Sequence, residues 1–162
     1  MTMKSLAICG LLTLLPIPAL AGNSTVQLKP EYQKWLNEDV HWIITSQERQ
    51  QFVNLPTDQA RDRFVVQFWE RRNPAPGSSE NPFKVEHYRR LAFANQHFAA
   101  KLPGDETDRG RIYIVDGPPD AITKDSGAIP DEVWSYRRLN GDKNVTFKFI
   151  DRCGCGDYQL IN

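Results

Sequence analysis

The chain of 162 residues predicts an α+β fold, with several N-terminal helices packed on one side of a small, mainly antiparallel C-terminal sheet. Three observations carry that reading. As far as Phe98, apolar residues recur at helical spacing. After Gly104 the period shortens to two. Two alternating segments, Val133–Leu139 and Val145–Ile150, then flank Asn140-Gly141, a dipeptide suited to a tight hairpin turn.

The first residues stand apart from this pattern. Lys4 gives a positive start, Leu6–Leu15 an apolar run, and Ala19-Leu20-Ala21 a small-residue cleavage site. Residues 1–21 therefore read as a secretory signal peptide, too short in its apolar part to span a bilayer as a helix. Residues 22–29 are expected to be a flexible leader, and 30–162 a single domain. Pro30 suits the first turn of a helix that places Tyr32, Trp35, Leu36 and Val40 on one face. Thr45-Ser46-Gln47-Glu48 is a capping box opening a second helix with Phe52 and Val53. Pro56 interrupts, and Thr57 caps a third helix striped by Ala60, Phe64, Val65, Phe68 and Trp69. Asn73-Pro74 ends it near Arg72. Asn81-Pro82 opens the longest helix, with Phe83, His87, Leu91, Ala94 and Phe98 on one face, and Pro103-Gly104 is expected to stop it. Beyond it, Ile112 and Ile114 alternate with Arg111, Tyr113 and Val115, which predicts a strand ended by Gly117-Pro118-Pro119. Val145, Phe147 and Phe149 share the buried face of a later strand, and Tyr158–Ile161 predicts a last short one.

Composition excludes some functions. Twenty basic residues balance twenty acidic ones, so no electrostatic case exists for nucleic acid or an anionic membrane surface. No segment after the signal peptide is apolar enough to cross a membrane. No cofactor motif is present.

The stretch Thr107–Asp120 concentrates the charge. In an extended segment Arg109 and Arg111 share a face and suit a carboxylate or phosphate held bidentately. Asp108, Asp116 and Asp120 would supply a base or a cation site. The competing reading is structural: the acids pair with these arginines and with turn amides, and Gly-Pro-Pro fixes a corner. Tyr113 with Trp134 or Tyr136, beside Arg111 and Arg137, would line a groove on the sheet's outer face suited to a peptide or glycan.

Several ordered motifs resemble one family. Trp35-Leu36-Asn37-Glu38-Asp39-Val40, Trp42-Ile43-Ile44-Thr45, Phe68-Trp69-Glu70-Arg71-Arg72-Asn73-Pro74, Glu86-His87-Tyr88-Arg89-Arg90, Thr107–Ile114 and Gly117-Pro118-Pro119-Asp120 together resemble the GWxTD-domain proteins of bacteria. The likeness spans nearly all of the chain after the signal peptide. The name-giving Gly-Trp-x-Thr-Asp stands here as Gly104-Asp105-Glu106-Thr107-Asp108, with Asp105 at the tryptophan position. The resemblance implies an exported bacterial domain and brings no established activity with it.

Other residues allow two readings each. His87 lies on the apolar stripe of the long helix, as a core histidine or a site residue. His97 falls on another face, which excludes a two-histidine metal pair on one turn. Arg71 and Arg72 complement the negative end of a helix dipole, or reach Asp108 or Asp120 to tie helix to sheet. Cys153-Gly154-Cys155 is open to three readings: structural cysteines, a small labile disulfide, or a thiol redox or soft-metal site.

No nucleophile–base–orienter pattern is visible. The leading expectation is a non-catalytic binding or assembly module of the bacterial cell envelope, exported to the periplasm or secreted. Its partner would be another envelope protein, a peptide or a glycan. Candidate binding residues are Asp108, Arg109, Arg111, Tyr113, Asp120, His87, Arg71 and Arg72. The alternatives are a hydrolase using Asp108 or Asp120 with His87, and thiol or metal chemistry at Cys153 and Cys155.

Overall fold

The structure, a computed structural model, describes residues 27–161. The signal peptide and most of the leader lie outside the described residues. Helix α1 (Pro30–Lys34) begins on Pro30, where a missing amide costs nothing, and runs into a wider turn, Trp35–Asp39. The Val40 N–H closes that turn on the Trp35 carbonyl at 3.0 Å. Helix α2 (Ser46–Val53) carries the expected capping box: Thr45 Oγ1 accepts from the Glu48 amide, and Glu48 Oε2 accepts from the Thr45 amide at 3.0 Å. Thr57 caps α3 (Asp58–Glu70), and Asn81 caps α4 (Pro82–His97). Helix α4 stops at His97, short of Pro103-Gly104, where the sequence pattern placed its end. Among the described residues no helix is long and apolar enough to cross a membrane.

The apolar stripes of these helices meet in a first aromatic core of Trp35, Val40, Phe52, Phe64, Phe68 and Trp69. The Trp35 ring lies 4.8 Å from Phe52 and 5.2 Å from Phe68. Such tilted and edge-on pairs contribute beyond their buried area.

The expected strand over Ile112–Val115 is instead helix α5 (Asp108–Asp116). Thr107 decides this locally: its Oγ1 accepts from the Gly110 amide at 3.1 Å and donates to the Gly104 carbonyl at 2.8 Å. The two-residue alternation misleads because α5 is covered on two sides. Ile112, Tyr113 and Ile114 are all buried, which no half-exposed strand permits. Tyr113 stacks on Phe93 of α4 at 4.5 Å and lies 6.4 Å from Trp134 on the helix-covered face of the sheet. Two glycines allow this close packing. A Cβ on Gly104 would overlap the Ala94 carbonyl of α4, and one on Gly110 would overlap the Gly104 carbonyl.

The sheet is antiparallel in the order β1 (Ala121–Asp125), β2 (Asp131–Arg138), β3 (Lys143–Ile150), β4 (Gln159–Leu160). The sequence reading missed β1, which lacks an apolar alternation and is exposed throughout. Residues 139–142 form the turn between β2 and β3. In β2 the inward positions are Glu132, Trp134 and Tyr136, opposite Phe149, Phe147 and Val145 of β3. Trp134, Tyr136 and Phe149, with Phe147 packed against them, join Ala94, Phe98, Ile112, Tyr113 and Ile114 in a second core. Helix α4 serves both: Tyr88 packs against the first and Ala94 belongs to the second.

Candidate functional site

At the β1 edge the helices cease to cover the inner face of the sheet, and a cleft of about 400 Å³ opens. The register sets its floor: Ile122 stands opposite Trp134, and Lys124 opposite Glu132. Helix α4 supplies Phe93 and His97, its C-cap is Phe98, α5 supplies Arg109 and Tyr113, and Pro118-Pro119 completes the lining.

A charged group sits within these aromatic walls. The Glu132 side chain is only 4% exposed, with Lys124 Nζ at 2.9 Å and Arg109 Nη1 at 3.3 Å. Trp134 Nε1 donates to its other oxygen at 3.0 Å. Burial pushes this carboxyl up, but the Lys124 hydrogen bond, the Trp134 indole and the Arg109 charge outweigh burial and leave it below its ordinary value. It is therefore held ionised and is unsuited to deliver a proton at neutral pH. Arg109 also donates to the Gly156 carbonyl at 3.1 Å, and its guanidinium lies over the Tyr158 ring at 4.1 Å. The result is a largely apolar cleft with ion-paired charges and no activated nucleophile among its lining residues.

The sequence-predicted residues scatter around this geometry. Arg109 and Tyr113 line the cleft. Tyr113, Trp134 and Tyr136 are buried on the inner face, so the expected outer-face groove does not form. Because the segment is helical, Arg111 turns away from Arg109. It approaches Asp108 Oδ1 at 3.8 Å and lies over Trp42, so the two arginines make no shared anion clamp. Asp108 Oδ2 accepts from the Leu160 amide at 2.8 Å, which fixes β4 to α5. Asp120 accepts from the Arg137 amide at 2.6 Å and from its guanidinium at 3.2 Å.

His87 donates from Nε2 to the Asp39 carbonyl at 2.6 Å, and burial pushes its pKa down. It shares neither partner nor cavity with Asp108 or Asp120, so the hydrolytic arrangement is not assembled. Arg71 and Arg72 bind Glu48, at 3.0 and 2.7 Å, and do not reach Asp108 or Asp120. Cys153 and Cys155 form a disulfide and offer no thiolate. Asp151 beside them accepts from the Cys155 and Gly156 amides.

Glu132, Lys124, Ile122 and Phe93 were not singled out from the sequence, and His97 was weighed only as a metal partner for His87. One signal existed for Glu132: it shares inward parity with Trp134 and Tyr136, and an acid at a buried strand position needs partners.

With this geometry established, the profile of the GWxTD domain matches residues 26–161. The chain belongs to the GWxTD domain family. No curated protein and no solved structure matches it. The GWxTD name motif acquires a physical meaning here. Its glycine, Gly104, lets two backbones touch; its threonine, Thr107, caps α5; its aspartate, Asp108, holds β4. Asp105, at the tryptophan position, is buried.

Proposed function

We propose that this GWxTD domain is a non-catalytic binding module that captures an extended peptide segment of a partner in the cleft beside β1. The observation that carries the reading is that cleft itself: Phe93, Phe98, Tyr113 and Trp134 around an ion-paired Arg109–Glu132–Lys124 group with one cation in excess. Among the described residues β1 pairs only with β2, so its outer edge offers free backbone groups to an added strand. Alternate side chains of that strand would enter the cleft past Ile122 and Lys124. We place the module outside the cytoplasm in a bacterial cell envelope. The signal-like residues 1–21 and the Cys153–Cys155 disulfide support this.

A random-peptide display selection on the purified protein tests the reading. It is expected to enrich peptides with apolar residues at every second position. Ile122 is 46% exposed, so Ile122→Asp should leave the fold intact while weakening the enriched peptides by about tenfold or more. Peptides that bind Ile122→Asp equally well, or a glycan array that yields ligands where peptides yield none, would refute the assignment.

A further inference from the structure

A second cavity, of about 410 Å³, opens between the Trp35–Asp39 turn, α4 and the Gly104–Glu106 turn. Its walls carry four carboxylates, Glu38, Asp39, Asp105 and Glu106, against one cation, Lys34. The two ends of this wall differ. At one end Lys34 Nζ lies 2.6 Å from Asp39 Oδ1 and 3.4 Å from Glu38 Oε2, so an ammonium is already in place. At the other end stands Asp105, only 6% exposed. Its main chain is fully engaged: its N–H donates to Asn95 Oδ1 at 2.9 Å, and its carbonyl accepts from Trp42 Nε1 at 2.7 Å. Asp105 lines the cavity, and its carboxylate makes no hydrogen bond or ion pair among the described residues.

The Asp105 carboxylate oxygens are not among the fully buried unpaired polar atoms, so cavity water reaches them, and a cation supplied from outside replaces that water with a charge-assisted contact. A metal ion fits poorly. Among the described residues, the four carboxylates of this wall do not converge into a ligand set. The Lys34 end shows the chemistry the wall already accepts. We infer that the cavity binds an organic cation of the alkylammonium or guanidinium class, with its head on Asp105 and Glu106 and its stem along Leu91 and Pro103. This site is separate from the β1 cleft and does not depend on the peptide reading.

Titration calorimetry of the purified protein with two probes tests it. Spermidine represents a free polyamine, and an acetylated Gly-Arg-Gly amide represents a partner's side chain. At least one is expected to bind saturably, and which one does identifies the source. Asp105→Asn, nearly isosteric, should weaken that binding by about tenfold or more, the worth of one charge-assisted contact. Ile122→Asp should leave it unchanged, which separates this site from the cleft. Asp105→Trp should abolish it by filling the space; circular dichroism confirms the fold, and Asp105→Asn carries the test if the tryptophan variant does not fold. No saturable binding of either probe, equal binding by folded Asp105→Asn, or tighter binding of Mg²⁺ than of both probes would overturn the assignment.

Discussion

The two cores are built on different principles. In the first, side chains do the packing, and polar groups answer one another locally: Glu48 joins Arg71 and Arg72, Tyr32 donates to Asp62, and Arg61 binds Asp58. In the second, backbones approach each other at Gly104 and Gly110, and the charged group around Glu132 faces an open cleft. The contrast separates a closed helical core from a sheet face that opens on a cleft. It also locates sensitivity. Side-chain packing tolerates adjustment, whereas main chain pressed on main chain does not.

The largest expected effect tests that difference. Gly110→Val places a branched side chain against the Gly104 carbonyl and the Asp105 backbone, neither of which can swing aside. We expect destabilisation of about 3 kcal/mol or more in urea unfolding, or loss of the folded state. A variant within a few degrees of the parent's melting temperature would show that the close approach is not required.

The same contrast explains what the sequence disclosed. The first core was legible because its helices carry their caps and stripes within a few residues: Thr45 with Glu48, Thr57, Asn81-Pro82, and the run Phe64, Phe68, Trp69. The hairpin of β2 and β3 was legible for the same reason. The second core was misread at α5 because burial on two sides erased the helical stripe and left Ile112 and Ile114 looking like a strand. Strand β1 was invisible because its exposed edge needs no apolar pattern. The cleft was half-visible: Arg109 and Tyr113 drew attention by their chemistry. Lys124 and Glu132 meet only through strand register, which no local signal specifies.

A medium effect probes the polar lock of the helical half. Glu48 takes amide and guanidinium donors from Thr45, Arg71 and Arg72. The Arg72 hydrogen bond above all holds its carboxyl down from 4.5 to about 2, against the upward push of burial. A carboxyl lowered on folding stabilises fully above pH 4.5 and loses that contribution as pH falls toward 2. Glu48→Gln should therefore cost about 2 kcal/mol near neutral pH. The difference from the parent should shrink steadily between about pH 4.5 and about pH 2.5. A pH-independent difference would mean that shape rather than charge makes the lock.

The smallest effect asks whether the two halves act as one. Besides α4, Trp42 ties them: its Nε1 donates to the Asp105 carbonyl at 2.7 Å, while its ring meets His41 at 4.3 Å and Arg111 at 5.8 Å. Trp42→Phe keeps an aromatic ring there and removes the donor. Because water can reach this partly exposed site, the cost should be about 1 kcal/mol rather than the full penalty of a buried orphan. The substitution also leaves Trp35 and Trp69 in the first core and Trp134 in the second as the fluorescent reporters. If α4, with residues in both cores, couples the halves strongly, fluorescence and far-ultraviolet dichroism will still trace one transition, shifted slightly down. Two separated transitions would show that this hydrogen bond, more than the shared helix, holds the helical half to the sheet half.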